Sequence, residues 1–113
     1  MVNKPKPFYV DEQGFNLPFA VKESDGTAFV LTGYTIKFWM WLPNAATSKI
    51  SNGTVVPDDE DAGTCHYVVQ ATDFNTAGSY NWELVLTSDS IERKARGEYN
   101  IVIEEEHPPA PSP

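Results

Sequence analysis

The chain has 113 residues and a formal net charge of −8, and 41% of its residues are hydrophobic, including three Trp, five Tyr and six Phe. This length suits a single domain, and the large apolar side chains favour a folded core over disorder. The acidic balance argues against nucleic acid and against an anionic membrane surface as partners, because both need clustered Lys and Arg.

The N-terminal residues 1–7 hold Lys and Pro without an apolar run, which predicts a flexible lead and no signal peptide. Cys65 is the single cysteine, so no disulfide can form within the chain and an oxidising compartment is not required. No stretch approaches the roughly 18 apolar residues of a membrane-spanning helix.

The first half of the chain predicts short strands at residues 8–10 and 17–21 and a long strand at residues 34–42. Residues 17–21 alternate apolar and other side chains, as a strand with one buried face does. Pro18 confines this strand to a sheet edge or to its own first residues, because proline cannot donate a sheet hydrogen bond.

The second half predicts strands at residues 54–56 and 64–71, then a strand over 79–86, and a last strand over 92–104. Residues 105–113 are rich in Glu and Pro, which predicts a charged tail or linker that cannot join a sheet. No helical period occurs over a useful length.

These elements predict an all-β fold, an immunoglobulin-like Greek-key β-sandwich of about seven antiparallel strands, over residues 8–104. A small closed barrel is the alternative that the same pattern allows.

The most informative stretch is residues 73–86, a polar turn that leads into a strictly alternating strand. Tyr80, near the start of that strand, is typical of the tyrosine corner of Greek-key sandwiches, where the hydroxyl bonds back to backbone just upstream. Gly78 permits a tight bend before it. We therefore predict Asp73, Gly78 and Tyr80 as a structural corner between the two sheets.

Candidate residues for chemistry are few. The run Asp58-Asp59-Glu60-Asp61 could hold calcium, but it lacks the alternate spacing of an EF-hand loop, so a solvated acidic turn is the better interpretation. His66 and His107 lie far apart and lack further ligands at zinc spacing. Cys65 and His66 are adjacent on a strand, so their side chains leave opposite faces and cannot form a dyad. We predict no catalytic residue, metal or cofactor.

The long strand suggests an interaction surface. If Ile36, Phe38 and Met40 face the core, Trp39 and Trp41 point outward. The last two strands are expected to flank this one, which would add further residues to the same face: Val85, Val102, Lys37 and Glu83. Exposed Trp and Val rimmed by charge are typical of a protein interface. Two alternatives remain: the Trp side chains fill the core, or a terminal segment covers Trp39.

Four pieces of the sequence resemble a known family. They are Phe29-x-Leu31-Thr32-Gly33, the strand Tyr34-x-Ile36-x-Phe38-x-Met40, the corner Asp73-x-x-x-Ala77-Gly78-x-Tyr80-x-Trp82-Glu83, and the closing Gly97-Glu98-Tyr99-Asn100-Ile101-Val102-Ile103. Their order over residues 15–104 resembles the N-terminal domain of phage baseplate upper proteins, the BppU-like family. Residues 44–62 depart from that family's pattern.

The resemblance implies a non-enzymatic structural adapter of the virion, assembled in the host bacterial cytoplasm, which docks to other phage tail or baseplate proteins. Self-association is a further expected mode of contact. An alternative is an immunoglobulin-like module that binds carbohydrate or a cell surface, since exposed aromatic rings also stack on sugars. An enzyme with its site on the loops has the least support, because no acid/base pair is evident.

Overall fold

The structure is a computed structural model that describes residues 8–97 and 100–105, and these residues form strands, turns and bends without a helix. Eight strands occur within them. In chain order they are β1 (Phe8–Tyr9), β2 (Asn16–Ala20), β3 (Thr35–Trp41), β4 (Ile50–Asp59), β5 (Thr64–Val68), β6 (Gly78–Ser88), β7 (Ile91–Arg96) and β8 (Ile101–Glu104).

The strands lie side by side in the order β1-β8-β6-β3-β4-β5-β2, and β7 pairs with β6 next to β8. Strand β4 belongs to both halves of this path, since its first residues pair with β3 and its last residues pair with β5. The sheet therefore curls over itself into two layers. Among the described strands β1 and β2 do not pair with each other, so the sheet is an open half-barrel rather than the closed barrel of the alternative.

The core forms between the layers because alternate side chains of each strand point inward. Phe38 and Met40 of β3 and Tyr80 of β6 are each 0% exposed. The centre of the Phe38 ring lies 5.3 Å from the centre of the Phe19 ring of β2 and 5.0 Å from that of the Tyr67 ring of β5. This one side chain therefore contacts both layers. The all-β, sandwich-like prediction is confirmed.

The corner before β6 is held by two tyrosine hydroxyls. Tyr80 donates to the carbonyl oxygen of Thr76 at 2.7 Å, the upstream backbone bond that defines a tyrosine corner. Tyr67 donates to Asp73 Oδ2 at 2.6 Å, and the same oxygen accepts the Gln70 amide at 2.7 Å. Gly78 is not among the positive-φ residues; its missing side chain makes room for Leu42, whose Cδ2 would lie 2.7 Å from a Cβ at this position.

Three details differ from the predicted strands. There are eight strands rather than about seven, and β1 pairs with β8 in parallel rather than antiparallel. Strand β4 spans ten residues instead of residues 54–56, because its first residues pair with β3 and its last residues pair with β5, where a register shift after Pro57 lets the ladder continue to Asp59.

The single last strand predicted over residues 92–104 is instead β7 followed by β8. A Cβ at Gly97 would collide with the Trp82 indole, so this glycine leaves room for the ring where β7 ends. Glu98 and Tyr99, which follow it, lie outside the described residues, as do the predicted N-terminal lead and all but the first residue of the predicted tail.

Three buried weak acids make the fold sensitive to alkali. Burial, together with the nearby Asp58 charge, raises the pKa of Cys65 from 9.0 to about 11. Burial also raises the pKa of Tyr80, and the pKa of Tyr67 is raised by burial, then by its hydrogen bond to Asp73 and by that carboxylate's charge. All three groups therefore stay protonated in the folded chain at pH values where the unfolded chain loses these protons.

We therefore expect these groups to contribute a constant amount to the free energy of unfolding below pH 9. Above pH 9 the free energy of unfolding should fall, because the thiol and then the phenols (ordinary pKa 10.0) ionise in the unfolded chain. Each proton kept only by the folded state lowers the free energy of unfolding by about 1.4 kcal/mol per pH unit. Urea titrations at pH 7, 9 and 11 measure this, and the Tyr67→Phe variant should show a shallower fall. An unfolding free energy that stays level up to pH 11 would contradict the prediction.

Candidate interaction surface

Trp39 and Trp41 lie on the side of β3 that faces away from the core. The residues between and beside them, Ile36, Phe38 and Met40, are 3%, 0% and 0% exposed. Since side chains alternate along a strand, both tryptophans belong to the opposite face. This arrangement excludes the alternative in which the two tryptophans fill the core. We call this side of β3, β6, β7 and β8 the outer face.

The strand register shows what surrounds the tryptophans. Trp39 is opposite Glu83 of β6, and Trp41 is opposite Asn81. On the far side of Glu83 lies Arg96 of β7, whose Nε is 3.6 Å from Glu83 Oε1. The aromatic pair therefore borders an ion pair, and Arg96, with 78% of its side chain exposed, remains available to solvent.

Lys37 and Val85 complete one end of the outer face. They are directly opposite each other in the β3–β6 register, and Val85 is opposite Lys94 on its other side. Lys37 Nζ lies 3.4 Å from Thr54 Oγ1 of β4, so its ammonium group turns toward the neighbouring strand. The structure thus brings together five of the predicted docking residues: Lys37, Trp39, Trp41, Glu83 and Val85.

Val102 extends the outer face at its opposite end. It is opposite Ser79, about 20 Å along β6 from Val85 but only two residues from Asn81, which is opposite Trp41. Val102 therefore lies diagonally across β6 from Trp41. We call the five residues above the tryptophan cluster, and Val102 lies at its margin.

The exposure of the outer face is lower than the sequence suggested. Trp39, Trp41, Val85 and Val102 are all half-buried, although none belongs to the buried core. The alternative that a terminal segment covers Trp39 concerns residues 1–7 and 106–113, which are outside the described residues.

The most exposed large apolar residues are elsewhere, and the sequence analysis did not identify them as a surface. Val30 and Ile91 are 50% and 53% exposed, and Val56 is 45% exposed. Val56 is opposite His66 on β5, two residues from Val68, which is 36% exposed. The alternation along β5, in which His66 and Val68 leave the face opposite to Cys65 and Tyr67, could have predicted this second outer surface from the sequence.

The acidic run makes separate contacts rather than a cage. Asp58 Oδ1 lies 2.8 Å from His66 Nδ1, Asp59 Oδ1 accepts the Ala62 amide at 3.2 Å, and Glu60 Oε1 accepts the Thr32 hydroxyl at 3.3 Å. Cys65 is buried while His66 points outward, so the two do not meet. His107 is outside the described residues.

Within the described part of the chain, no group of three or more His, Cys, Asp or Glu side chains is arranged to hold a metal ion. The same residues contain no helix with the length and apolar character needed to cross a membrane. A scan against protein-family models matches none of them, and a search of curated proteins finds no relative.

Proposed function

We propose that the protein is a non-enzymatic structural adapter of a phage tail or baseplate that docks to neighbouring protein subunits through its outer face. The observation that carries the proposal is the pair Trp39 and Trp41, two residues apart on the same face of β3 and paired in register with Glu83 and Asn81 of β6. The β3–β6 ladder directs both side chains to the outer face.

A protein partner suits this surface better than a sugar. Tryptophan is among the residues that most often carry binding energy at protein interfaces, and a polar rim around such anchors is typical of them. Here the rim is the Glu83–Arg96 ion pair with Lys37 and Lys94. The assignment to a phage virion rests on the resemblance of the strand, corner and closing motifs described above.

The experiment is assembly of virions that carry single substitutions in this chain. We expect Trp39→Ala and Trp41→Ala each to reduce the amount of the protein in purified particles, since losing an aromatic anchor costs about 2 kcal/mol or more, roughly thirtyfold in affinity. The matched control is Val30→Ala, which removes an apolar side chain that is 50% exposed. Val30 lies between Phe29 and Leu31, whose amides donate to Val21 and Glu60 and not to the strands of the outer face.

Circular dichroism and urea unfolding of each purified variant separate a docking defect from a folding defect. Normal assembly of both tryptophan variants, or absence of the protein from purified particles by mass spectrometry, would refute the adapter role. Binding of the isolated chain to a glycan array, abolished by Trp39→Ala, would favour the carbohydrate-binding alternative.

A further inference from the structure

A long apolar groove opens where the curled sheet fails to close. It runs between β2 on one side and β7 and β8 on the other, with a volume of about 920 Å³. Its floor is made of core side chains, among them Phe19, Trp82, Leu84 and Leu86. We call it the seam groove. It lies between the layers, whereas the tryptophan cluster lies on the outer face.

One wall of the seam groove is an unpaired strand edge. Strand β7 pairs with β6 and with no other described strand. The Gly97 amide donates to the Trp82 carbonyl, so in this antiparallel ladder the odd-numbered residues of β7 bond to β6. The backbone N–H and C=O groups of Glu92, Lys94 and Arg96 therefore point away from β6, toward the open side.

The opposite wall, the free edge of β2, is less suited to pairing with an added strand. The Val21 amide donates to the Gly63 carbonyl at 2.8 Å, so the odd-numbered residues of β2 bond to β5. The backbone groups of Pro18 and Ala20 therefore point away from β5, toward the groove. Pro18 has no N–H, so the centre of this edge cannot donate. Backbone pairing within the groove is thus available along β7.

The charges at the groove select the chemistry of an occupant. Four of the chain's eight basic residues line it: Lys22, Arg93, Lys94 and Arg96. Lys94 and Arg96 are two residues apart on β7 and so share its outward side. The Lys94–Glu92 contact, at 4.0 Å, is exposed and weak, and the Arg96 side chain, whose Nε lies 3.6 Å from the largely buried Glu83, is itself 78% exposed. A chain with a net charge of −8 thus places half of its cations around one apolar opening.

Arg93 points to the inner side and bounds the groove at one end. Its Nη2 is 3.5 Å from Glu23 Oε1, and its guanidinium lies 5.3 Å from the centre of the Phe29 ring. Arg93 therefore joins the two walls near the turn that follows β2. The part of the groove beside Ala95, Arg96 and Gly97 is the part that an extended chain could occupy.

We propose that the seam groove accepts an extended segment of a partner protein, added as a strand to the free edge of β7, in which apolar and acidic residues alternate. The apolar side chains of such a segment enter the groove above Phe19 and Trp82. The acidic side chains lie on the other side of the strand, beside Lys94 and Arg96, as cross-strand ion pairs. This proposal does not depend on the tryptophan cluster or on the phage assignment.

The test measures binding of the peptide (Glu-Val)₄-amide, labelled with fluorescein at its N-terminus, to the full chain by fluorescence anisotropy. We expect (Glu-Val)₄ to bind at least tenfold more tightly than (Lys-Val)₄, which reverses the charge, and (Glu-Ser)₄, which removes the apolar face. Amide hydrogen exchange should show fast exchange at Lys94 and Arg96 in the free chain and slowed exchange when the peptide is bound.

A pair of substitutions at one position separates backbone pairing from charge. Lys94→Ala removes the ammonium group and keeps the N–H, whereas Lys94→Pro also removes the N–H, which β6 does not use. We expect Lys94→Pro to bind (Glu-Val)₄ at least tenfold more weakly than Lys94→Ala. Because hydrogen exchange on the unmodified chain reports the same pairing, the test survives a failure of the proline variant to fold.

Equal affinities for the three peptides would overturn the proposal. Peptide-induced changes in amide exchange that are confined to Trp39 and Trp41 would also overturn it. Amides of Lys94 and Arg96 that are already protected in the free chain would mean that the chain itself fills the groove, and protection that increases with protein concentration would mean a second copy does. Binding of octanoate that displaces the peptide without protecting these amides would make the groove a site for small amphipathic anions.

Discussion

Replacing Gly63 with alanine should destabilise the protein by about 3 kcal/mol or more, because both the backbone conformation and the packing at this position exclude a side chain. Gly63 follows β4 in the turn to β5 and has a φ of +74°, a left-handed conformation that costs an L-residue about 1–2 kcal/mol. A Cβ there would also lie 2.5 Å from the carbonyl oxygen of Val21 and 2.8 Å from that of Phe29. Both are backbone atoms, so the collision cannot be relieved by rotating a side chain.

The control is Gly26→Ala. Gly26 has a φ of +90°, but a Cβ there would meet nothing within 4 Å, so this variant measures the conformational cost alone, about 1 kcal/mol. Urea unfolding of the two variants gives the comparison. Equal losses of stability would mean that the β4–β5 turn does not pack against the chain beyond β2 as described.

Replacing Phe38 with alanine should cost about 3–5 kcal/mol, the range for a large aromatic side chain removed from a packed core. Phe38 is 0% exposed, and its ring contacts Phe19 and Tyr67 of one layer while Trp82 lies 6.2 Å away in its own layer. Its loss leaves a cavity between the two layers of the sheet, and neither layer can move in to fill this cavity without disturbing the strand pairing.

Trp39→Ala is the matched control, since it removes an even larger ring from the next residue on the outer face. We expect this variant to lose about 1 kcal/mol of unfolding free energy, because the Trp39 side chain is half-buried and does not belong to the buried core. Thermal or urea unfolding measures both. If Trp39→Ala proved the more destabilising change, the assignment of faces on β3 would be reversed and the docking surface would be lost with it.

Local pattern predicted the central strands well. On β3 and β6 the alternation of Ile36 and Phe38 with Trp39, and of Tyr80 and Leu84 with Glu83, is strict because each strand has one buried face. A strand with that asymmetry cannot slip by one residue without exposing its whole apolar set. The two sets of side chains could therefore be recognised from sequence, but which face of β3 is buried was left open. The corner tyrosine could also be recognised, because its hydrogen bond to Thr76 spans only four residues.

Long-range packing decided the rest. The apolar content of residues 92–104 is compatible with one strand or two. The division into β7 and β8 accompanies a shift in their register with β6, from Glu83 opposite Arg96 to Tyr80 opposite Ile101. Similarly, the length of β4 depends on its pairing with two different strands, β3 and β5. No local signal encodes which partner a strand will have.

The composition and alternation of the chain determined by themselves that it is an all-β protein and which residues of each central strand share a face. Only the tertiary structure decided that Trp39 and Trp41 lie outside the core, that the sheet stays open, and that four cations gather at the seam groove. The physical reason is distance along the chain: the walls of that groove come from Pro18 and Lys94, which are brought near each other only when the whole sheet curls.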